Sequence, residues 1–179
     1  MDSTQPLERF LASVERRAFV VARMATGDNE EALDLVQDAM LRLVKHYSAR
    51  SPDEWAPLFH RILQSRIRDW YRRARVRNRF RVWFGARRAD EHEDALEQQP
   101  DHSERGPDGR MMGSQAVSAL QSAIAALPLR QRQAFLLRAW EGLDVAQTAN
   151  AMGCSEGSVK THYSRAVHTL RRLLDEYWS

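Results

Sequence analysis

The sequence predicts an all-α protein made of two small helical domains joined by a flexible acidic linker. Apolar residues recur at intervals of three and four along most of the chain, with no sustained alternation of the kind that a strand requires. Capping residues, glycines and prolines divide this pattern into pieces of helix length. Residues 85–113 contain four of the eight glycines and few large apolar residues, so they form the linker between domains over 1–84 and 114–179.

Three helices are expected in the first domain. The first covers about 7–25 and ends beside Gly27, because glycine accepts the left-handed conformation of a helix cap. The second covers 28–47 and starts with an Asp and a Glu three residues apart, a capping-box pattern. The third starts from Ser and Pro at 51–52 and is long. Pro57 predicts that this start is irregular or that the helix begins near residue 55.

Four helices are expected in the second domain, over 114–127, 128–140, 144–152 and 155 to about 177. The last two have the form of a helix-turn-helix, with Gly153 in the turn and Ser155 as the next N-cap. Their apolar faces have the spacing that two crossed helices need. These faces consist of Val145, Thr148, Met152, Val159, Tyr163, Ala166 and Leu170.

Composition excludes several classes of protein. The single cysteine cannot form an internal disulfide, and no Cys/His cluster has zinc spacing, so a secreted disulfide scaffold and a structural zinc fold are excluded. The longest apolar runs, such as residues 18–22, are far shorter than the roughly 18 residues that span a bilayer. We therefore expect a soluble protein of the reducing cytoplasm, with no membrane insertion.

The net charge of +3 conceals three blocks of different sign. Residues 1–57 carry ten acids and seven bases, residues 61–88 carry eleven arginines and one acid, and residues 90–110 carry eight acids and two bases. The arginine block has the charge density that a polyanion attracts. The acidic run at 90–94 lies in the linker and lacks the fixed geometry that a metal ion requires, so no metal site is expected.

The helix-turn-helix leaves a polar surface at the start of its second helix. Lysine and arginine can contact guanine acceptors or phosphates, and serine and threonine can contact either, so this surface suits the major groove of DNA. The alternative is an ordinary helical hairpin with a solvated face. The exposed set consists of Glu156, Ser158, Lys160, Thr161, His162, Ser164 and Arg165.

Aromatic residues precede the arginine block at 55 and 59 and lie within it at 70 and 71. Aromatic rings can stack on unpaired bases while arginines neutralise phosphates, as single-strand binders require. Aromatic residues on a helix are more often part of the core, and that alternative stays open for each of them.

Three motifs resemble the sigma-70 family of bacterial RNA polymerase sigma factors, and its small extracytoplasmic-function group in particular. Residues 127–135 and 142–166 are similar to region 4, residues 31–42 to region 2.2, and residues 55–73 to regions 2.3 and 2.4. The order of the motifs, the length and the missing middle domain agree with that group. The sequence departs from the family pattern at Pro57, Gln64 and Ser65.

The resemblance implies a promoter-recognition subunit that binds core polymerase and promoter DNA. The second helix would dock on the clamp helices of the largest subunit through Asp34, Gln37, Asp38, Leu41 and Arg42, with Leu33, Val36, Met40, Leu43 and Val44 as its core stripe. The minus-10 element would be opened and held by Trp55, Phe59, His60, Arg66, Arg68, Arg72 and Arg73. The minus-35 element would be read by Ser158, Lys160, Thr161, His162, Ser164 and Arg165.

Further partners implied by the resemblance are the polymerase flap and an anti-sigma factor, and the acidic linker would thread the polymerase interior. A free-standing dimeric helix-turn-helix regulator is the competing function, but it needs neither the region 2 motifs nor the arginine block. An enzyme would need convergent carboxylates or a histidine pair on ordered elements. The histidines are scattered, so no catalytic residue and no cofactor are expected. Cys154 is expected to pack in the turn, with redox sensing as the alternative.

Overall fold

A computed structural model describes residues 4–85 and 113–175, and within those ranges the structure is helical with no strand. The predicted all-α class is confirmed. The predicted linker and its acidic run lie outside the described residues, apart from the two end positions. The helices are α1 (Thr4–Thr26), α2 (Asn29–Tyr47), α3 (Pro52–Gly85), α4 (Gly113–Ala125), α5 (Leu129–Phe135), α6 (Val145–Met152) and α7 (Glu156–Leu174).

Local capping explains where several of these helices begin. The carboxylate of Asp28 accepts a hydrogen bond from the backbone N–H of Glu31 at 2.9 Å. Asp144 and Gln147 form both hydrogen bonds of a capping box at the start of α6. These bonds satisfy N–H groups that have no partner inside the helix. The predicted N-cap at Asp28 and the predicted cap pair of Asp144 and Gln147 are confirmed, but the expected capping box at Asp28 is only half formed, because the carboxylate of Glu31 accepts from the indole of Trp70 instead.

The turn between α6 and α7 depends on Gly153. Its φ is +64°, in the left-handed region that other residues avoid, and its N–H is directed back toward the end of α6. Ser155 then caps α7 by accepting from the backbone N–H of Ser158. The predicted helix-turn-helix is therefore present with its expected turn and cap.

The expected irregular start of the third helix is wrong. Helix α3 begins at Pro52 and continues through Pro57. Glu54 reinforces the start, because its carboxylate accepts hydrogen bonds from both the N–H and the hydroxyl of Ser51. Pro57 removes a single hydrogen bond, to the carbonyl four residues earlier. That carbonyl belongs to the exposed Asp53, so water can replace the missing donor.

The segment predicted as one helix over 128–140 changes its winding near the end. After α5 the chain continues as a π-helical turn over Leu136–Trp140, and the N–H of Glu141 bonds to the carbonyl of Leu136 at 2.9 Å. Gly142 follows with a φ of +71°. Turns of this kind shift the direction of the following side chains relative to a regular helix.

One hydrophobic core extends through both halves of the chain. Buried residues of α1, α2 and α3 belong to the same cluster as residues of α4, α7 and the 127–136 segment. A second, smaller cluster packs the helix-turn-helix against α5 and the turn that follows it, and consists of Ala134, Leu137, Ala149, Ala151, Met152 and Val159.

The predicted core stripe of α2 is wrong in two positions. Leu33 and Val44 are exposed, whereas Ala32, Leu35 and Ala39 are buried. Ala32 and Ala39 are fully buried in the cluster that also contains residues of α1 and α3. The prediction chose the larger side chains, whereas close helix packing places the small ones in the core.

Replacing Phe59 by Ala tests whether this aromatic is part of the core. We expect a loss of about 3–5 kcal/mol in the free energy of unfolding, because its fully buried ring would leave a cavity. Val76→Ala, on the exposed side of the same helix, is the control and should change stability little. Urea unfolding followed by circular dichroism measures both, and near-equal losses would contradict the burial of Phe59.

Candidate nucleic-acid and polymerase interface

The start of α7 presents the polar surface that the sequence predicts. Lys160, Thr161, Ser164 and Arg165 are exposed, while the opposite side of the helix buries Val159. The side chains on this surface supply cationic groups and hydroxyls of the types that contact base edges and phosphates.

Two members of the predicted set are less accessible. Ser158 is half-buried, and its hydroxyl lies 2.9 Å from that of Ser155, so it takes part in the cap. His162 is also half-buried, with a buried ring Nδ1. The structure therefore divides the six side chains predicted to read the minus-35 element into four that are exposed and two at the edge of the surface.

Helix α3 carries most of the described arginine block on its surface. Of the arginines predicted to contact phosphates, Arg72 and Arg73 are exposed. Four further arginines of the same helix are exposed as well, and the sequence had singled out none of them individually: Arg61, Arg75, Arg77 and Arg79. Together these six residues, called the basic face of α3 below, concentrate positive charge along and around the exposed part of the helix, which attracts a phosphate backbone.

Trp55, Phe59 and His60, the residues predicted to lie at the melting site of the minus-10 element, lie in the core in this structure. All three are buried, with Phe59 fully enclosed. Trp55 donates its indole N–H to the carbonyl of Tyr47, and the ring of Phe10 packs against the rings of both Trp55 and Phe59. Rings held this way belong to the core, so the alternative that the sequence left open is the one the structure adopts.

Arg68 is held by the helix-turn-helix. One of its guanidinium nitrogens donates to the carbonyl of Met152 at 2.6 Å, and Arg130 donates to the same oxygen at 2.9 Å. Burial and the charge of Arg130 both lower the pKa of Arg68. The side chain predicted to contact DNA phosphate thus caps the C-terminus of α6 in this structure. Its positive charge interacts favourably there with the negative end of the helix dipole.

The predicted polymerase-binding surface on α2 is accessible. Asp34, Gln37 and Arg42 are exposed, Asp38 is half-buried, and Leu41 is 67% exposed. An open depression of about 260 Å³ lies on this surface. It is lined by Asp38, Leu41 and Arg42, together with Lys45 and His46. An exposed leucine surrounded by polar groups is typical of the centre of a protein interface.

An ion-pair chain connects this surface with α3. Asp38 lies 3.0 Å from Arg42 and 3.5 Å from Arg66, and Arg66 also pairs with Asp69. Arg72 lies 3.7 Å from Asp69. Of the predicted phosphate contacts, Arg66 is therefore the one with two carboxylates already beside it.

A polar cluster that the residue pattern did not predict joins α1 and α3 to the segment after α5. The His60 and Glu141 side chains in it are buried, whereas that of Arg17 is 53% exposed. Glu141, whose side chain is 6% exposed, has one carboxylate oxygen 3.8 Å from Nε2 of His60 and 3.8 Å from Nε of Arg17. Arg17 also donates to the carbonyl of Trp140 and lies over the Trp140 ring. We call Arg17, His60 and Glu141 the latch cluster.

Burial controls the protonation of the latch cluster. It lowers the pKa of His60 from 6.5 to about 4, and the charge of Arg17 acts in the same direction, so the imidazole is neutral at pH 7. Burial also raises the pKa of Glu141, and the positive charge of Arg17 makes this rise smaller. The contact between His60 and Glu141 is accordingly a polar contact at neutral pH, and Arg17 is the positive charge that faces the carboxylate.

Arg132 and Gln133 form a second set of contacts that the sequence missed. Arg132 is buried and donates to carbonyls of Met24, Ala25, Ala125 and Leu127, and to the hydroxyl of Tyr71. Gln133 donates to the side-chain oxygen of Gln64 at 2.9 Å, between two buried side chains. Gln64 is one of the positions where the sequence departs from the family pattern, and its partner gives that departure a structural reason.

Two family models match the chain. One, described as Sigma-70 region 2, matches residues 10–77, and the other, described as Sigma-70, region 4, matches residues 118–170. The first match contains the predicted polymerase-binding surface of α2 and every arginine of the basic face except Arg79. The second match contains the helix-turn-helix. The class that fold and surfaces define is a bacterial transcription initiation factor.

Curated relatives agree with this class. The chain is 33% identical to the ECF RNA polymerase sigma factor BldN of Streptomyces coelicolor over 84% of the chain, and it spans 53% of that relative's length. It is 32% identical to the RNA polymerase sigma-E factor of Streptomyces antibioticus, covering 83% of the chain and 73% of the relative. The chain belongs to the sigma-70 family of RNA polymerase sigma factors, in its extracytoplasmic-function (ECF) group.

A solved structure shows the same fold. The sigma factor RpoE of Bartonella quintana, crystallised with the anti-sigma factor NepR, superimposes with a TM-score of 0.67 at 24% identity. The alignment covers 94% of this chain and 96% of that one. Across the described residues, no helix combines the length and the apolar character that crossing a membrane would take.

The latch cluster predicts a pH dependence of stability. Between pH 7 and pH 5 the unfolded chain protonates His60 near 6.5 whereas the folded chain excludes that proton until about pH 4. Stability should therefore fall as the pH falls, by up to about 2 kcal/mol from this group. His60→Gln should remove that part of the slope. The raised pKa of Glu141 favours the folded state as the pH falls. This opposite contribution is present in both the wild-type protein and His60→Gln.

Denaturant unfolding at pH 7 and pH 5 measures this difference. His168→Gln is the matched control, because His168 is exposed on α7 and should leave the slope unchanged. Equal slopes for the wild-type protein and His60→Gln would show that His60 takes up its proton in the folded state.

Proposed function

We propose that this chain binds core RNA polymerase and directs promoter-specific initiation, with a separate task for each of its surfaces. The observation that carries the proposal is the presence of two accessible surfaces suited to DNA, the basic face of α3 and the start of α7, on segments that match region 2 and region 4 in that order. A third surface, on α2, is polar with an exposed leucine at its centre.

The division of the chain follows these tasks. Residues 1–84 form the domain that docks on core polymerase and opens the minus-10 element, residues 114–179 form the domain that reads the minus-35 element, and residues 85–113 connect them. The eight acids against two bases at 90–110 suit a linker that passes over basic surfaces inside the polymerase, where negative charge can imitate nucleic acid.

The minus-35 element is read in the major groove by α7. Its exposed residues Lys160, Thr161, Ser164 and Arg165 make the base and phosphate contacts, with Ser158 and His162 at the edge of the surface. This is the docking geometry of a helix-turn-helix, in which the first part of the second helix enters the groove.

The minus-10 element is held chiefly through its phosphates by the basic face of α3. Arg72 and Arg73 carry this contact together with the other exposed arginines of that helix, and Arg66 contributes where it is not engaged by its two carboxylates. Phosphate contacts position the protein without reading sequence.

Core polymerase is bound by the surface of α2, through Asp34, Gln37, Asp38, Leu41 and Arg42, on the clamp helices of the largest subunit. The second domain contacts the flap. An anti-sigma factor is a further partner, supported by the solved relative that was crystallised with one. The protein acts as a subunit with no catalytic residue of its own, in the cytoplasm where the polymerase transcribes.

A free-standing dimeric regulator is not favoured. Its helix-turn-helix alone would suffice, yet the first half of the chain matches region 2 and presents its own basic face. The deciding experiment is transcription of genomic fragments by purified core polymerase with and without this protein, followed by start-site mapping. Specific starts that depend on the protein are expected. Absence of both a stable complex with core and specific transcripts would refute the proposal.

Asp34→Lys tests the polymerase-binding surface. We expect at least about a tenfold loss of affinity for core, or about 1.4 kcal/mol, because a lysine would replace an exposed carboxylate within a charged interface. Glu15→Lys makes the same charge change at an exposed position of α1 and is the control. Asp38 is left intact because it holds Arg66 and Arg42.

Binding is measured by titrating fluorescent protein with core polymerase. If Asp34→Lys and Glu15→Lys bind equally, the face of α2 around Asp34 is not part of the interface.

Arg165→Ala and Lys160→Ala separate base reading from phosphate attraction on α7. We expect Arg165→Ala to relax the preference at one base position, at a cost of roughly 1–3 kcal/mol. Lys160→Ala should weaken all sequences alike and lower the salt dependence. Initiation from a library randomised across the minus-35 element, read at two salt concentrations, measures both effects. If neither substitution changes strength or preference, α7 does not read that element.

A further inference from the structure

Two arginine side chains converge on one backbone oxygen at the end of α6. A terminal nitrogen of Arg68, from α3, lies 2.6 Å from the carbonyl oxygen of Met152, and a terminal nitrogen of Arg130, from α5, lies 2.9 Å from the same atom. The two nitrogens are therefore at most about 5.5 Å apart, a distance at which like charges repel. A single carbonyl oxygen, even at the negative end of a helix dipole, supplies only part of the negative charge that two guanidinium groups require.

The structure shows no carboxylate paired with either of these two arginines. Within residues 4–85 and 113–175, neither guanidinium forms a salt bridge, and the bond to Met152 is the only hydrogen bond of each. Asp69 directly follows Arg68, but its carboxylate pairs with Arg66 and Arg72. A guanidinium carries several N–H donors in a fixed fork. Donors on both side chains thus have no partner in the described part of the chain.

The surroundings of the arginine pair increase its positive potential. Arg68 and Arg130 are half-buried, and burial together with the charges of Arg130 and Arg72 lowers the pKa of Arg68. Asp69 and Cys154 act in the opposite direction without cancelling this shift. Arg72 is exposed and lies one turn beyond Arg68, on the same side of α3. A third positive charge therefore stands at the rim of the pair, and an anion bound there would relieve the repulsion.

Gly153, in the turn between α6 and α7, lies beside the guanidinium of Arg68. A Cβ atom at this position would be 3.9 Å from both terminal nitrogens of Arg68, and Gly153 itself is exposed. Because glycine has no side chain, the turn does not cover this side of the guanidinium. An anion that approaches from here has no side chain of residue 153 to displace.

A phosphate group has the charge and the shape that fit this pair. A phosphate monoester carries about 1.5 to 2 negative charges at pH 7, which balances two cations, whereas a carboxylate carries one. Its oxygens can accept paired hydrogen bonds from guanidinium forks. A phosphate within a DNA backbone offers similar oxygens but carries a single charge and is flanked by sugars. The half-buried position of the pair therefore favours a small phosphate compound.

We propose that Arg68 and Arg130 form a binding site for the phosphate group of a small molecule in the free chain, with Arg72 at its rim. The ligand class is inorganic phosphate or a phosphate monoester, bound between α3 and the end of α6. The site does not depend on the proposed function, because it is a property of the chain without DNA or polymerase. It gives Arg68 a phosphate partner other than the promoter DNA that the sequence predicted.

Cys154→Asp tests the site by adding an anion of its own. Cys154 adjoins Gly153, is half-buried, and lies close enough for its charge to raise the pKa of Arg68. An aspartate there should pair with the arginines and compete with phosphate. Cys154→Asn has the same shape without the charge and is the matched control. We expect Cys154→Asn to bind inorganic phosphate as the wild-type chain does, and Cys154→Asp to bind it at least about tenfold more weakly.

Arg130→Gln tests the site by removing one guanidinium. We expect at least about a tenfold loss of affinity for inorganic phosphate, because charge-assisted hydrogen bonds are lost. Arg77→Gln removes the same charge from an exposed position of α3 and should leave this affinity unchanged. Arg130→Lys keeps the charge without the fork and should bind with intermediate affinity. A purely structural role of Arg130 would not produce this order.

Isothermal titration calorimetry of the full chain with sodium phosphate, at an ionic strength fixed with sodium chloride, measures the affinity. The urea midpoint with and without phosphate is a second readout, because a ligand that binds only the folded state stabilises it. Phosphate also stabilises proteins by exclusion from their surface. The difference between Cys154→Asn and Cys154→Asp removes that general effect. Equal affinities and equal midpoint shifts in these two variants would overturn the inference.

A short DNA duplex of unrelated sequence, used at the same ionic strength, decides the source of the phosphate. We expect Arg130→Gln to lose inorganic phosphate and keep its affinity for the duplex. Arg77→Gln should do the reverse, since it belongs to the basic face of α3. If Arg130→Gln instead weakens binding of the duplex and not of inorganic phosphate, the pair contacts the DNA backbone, and the assignment to a small molecule is wrong.

Discussion

The Arg132 guanidinium is the interaction on which the arrangement of the helices depends. It is buried, and it donates to carbonyls near the ends of α1 and α4 and to the hydroxyl of Tyr71. The last carbonyls of a helix have no partner within the helix and carry the negative end of its dipole. One cation therefore satisfies carbonyl acceptors at the ends of two helices at once. Without it, the carbonyls of Met24, Ala125 and Leu127 would lose this donor, whereas that of Ala25 would keep the Tyr71 hydroxyl.

The position of Arg132 also explains why the core is continuous. Because the end of α1 and the end of α4 meet at one side chain, the apolar residues on either side of that point belong to the same cluster. Arg130 and Arg68 act in a similar way at the end of α6, where both donate to the Met152 carbonyl. The chain thus uses arginine for two purposes, on the surface of α3 as free positive charge and inside as a cap for helix C-termini.

The sequence was sufficient for the parts of the fold that depend on local interactions. Asp28, Asp144, Gly153 and Ser155 each act through bonds to residues within a few positions, so their patterns predicted helix starts and the turn correctly. The aromatic residues were harder to assign. A tryptophan on an arginine-rich helix suits either a base-stacking surface or a core, and only the packing of Phe10 against Trp55 and Phe59 decides between them.

The contacts between the two halves could not have been predicted from spacing. Gln64, Gln133 and Glu141 are polar residue types that are mostly found on surfaces, and nothing near them in sequence indicates burial. Gln64 and Gln133 are 69 residues apart in the sequence. Glu141 and Arg17 lie on opposite sides of the linker. The partners of such residues are known only when the helices are placed together. The candidate DNA-binding surfaces were therefore found from sequence, and the contacts between the two halves of the chain were not.

The ion-pair chain from Arg42 to Arg72 gives the first domain a physical link between two of its surfaces. Asp38 belongs to the surface proposed to bind polymerase, and it lies 3.5 Å from Arg66, which borders the basic face of α3. Asp69 then pairs with both Arg66 and Arg72. A polymerase group that draws Asp38 toward itself would leave Arg66 with a single carboxylate and raise the positive potential available to phosphate. Because these pairs are partly exposed, each contributes little to stability, so their rearrangement costs little free energy. If the surface of α2 binds polymerase as proposed, the carboxylates that balance these arginines in the free chain could release them to DNA at little cost in free energy.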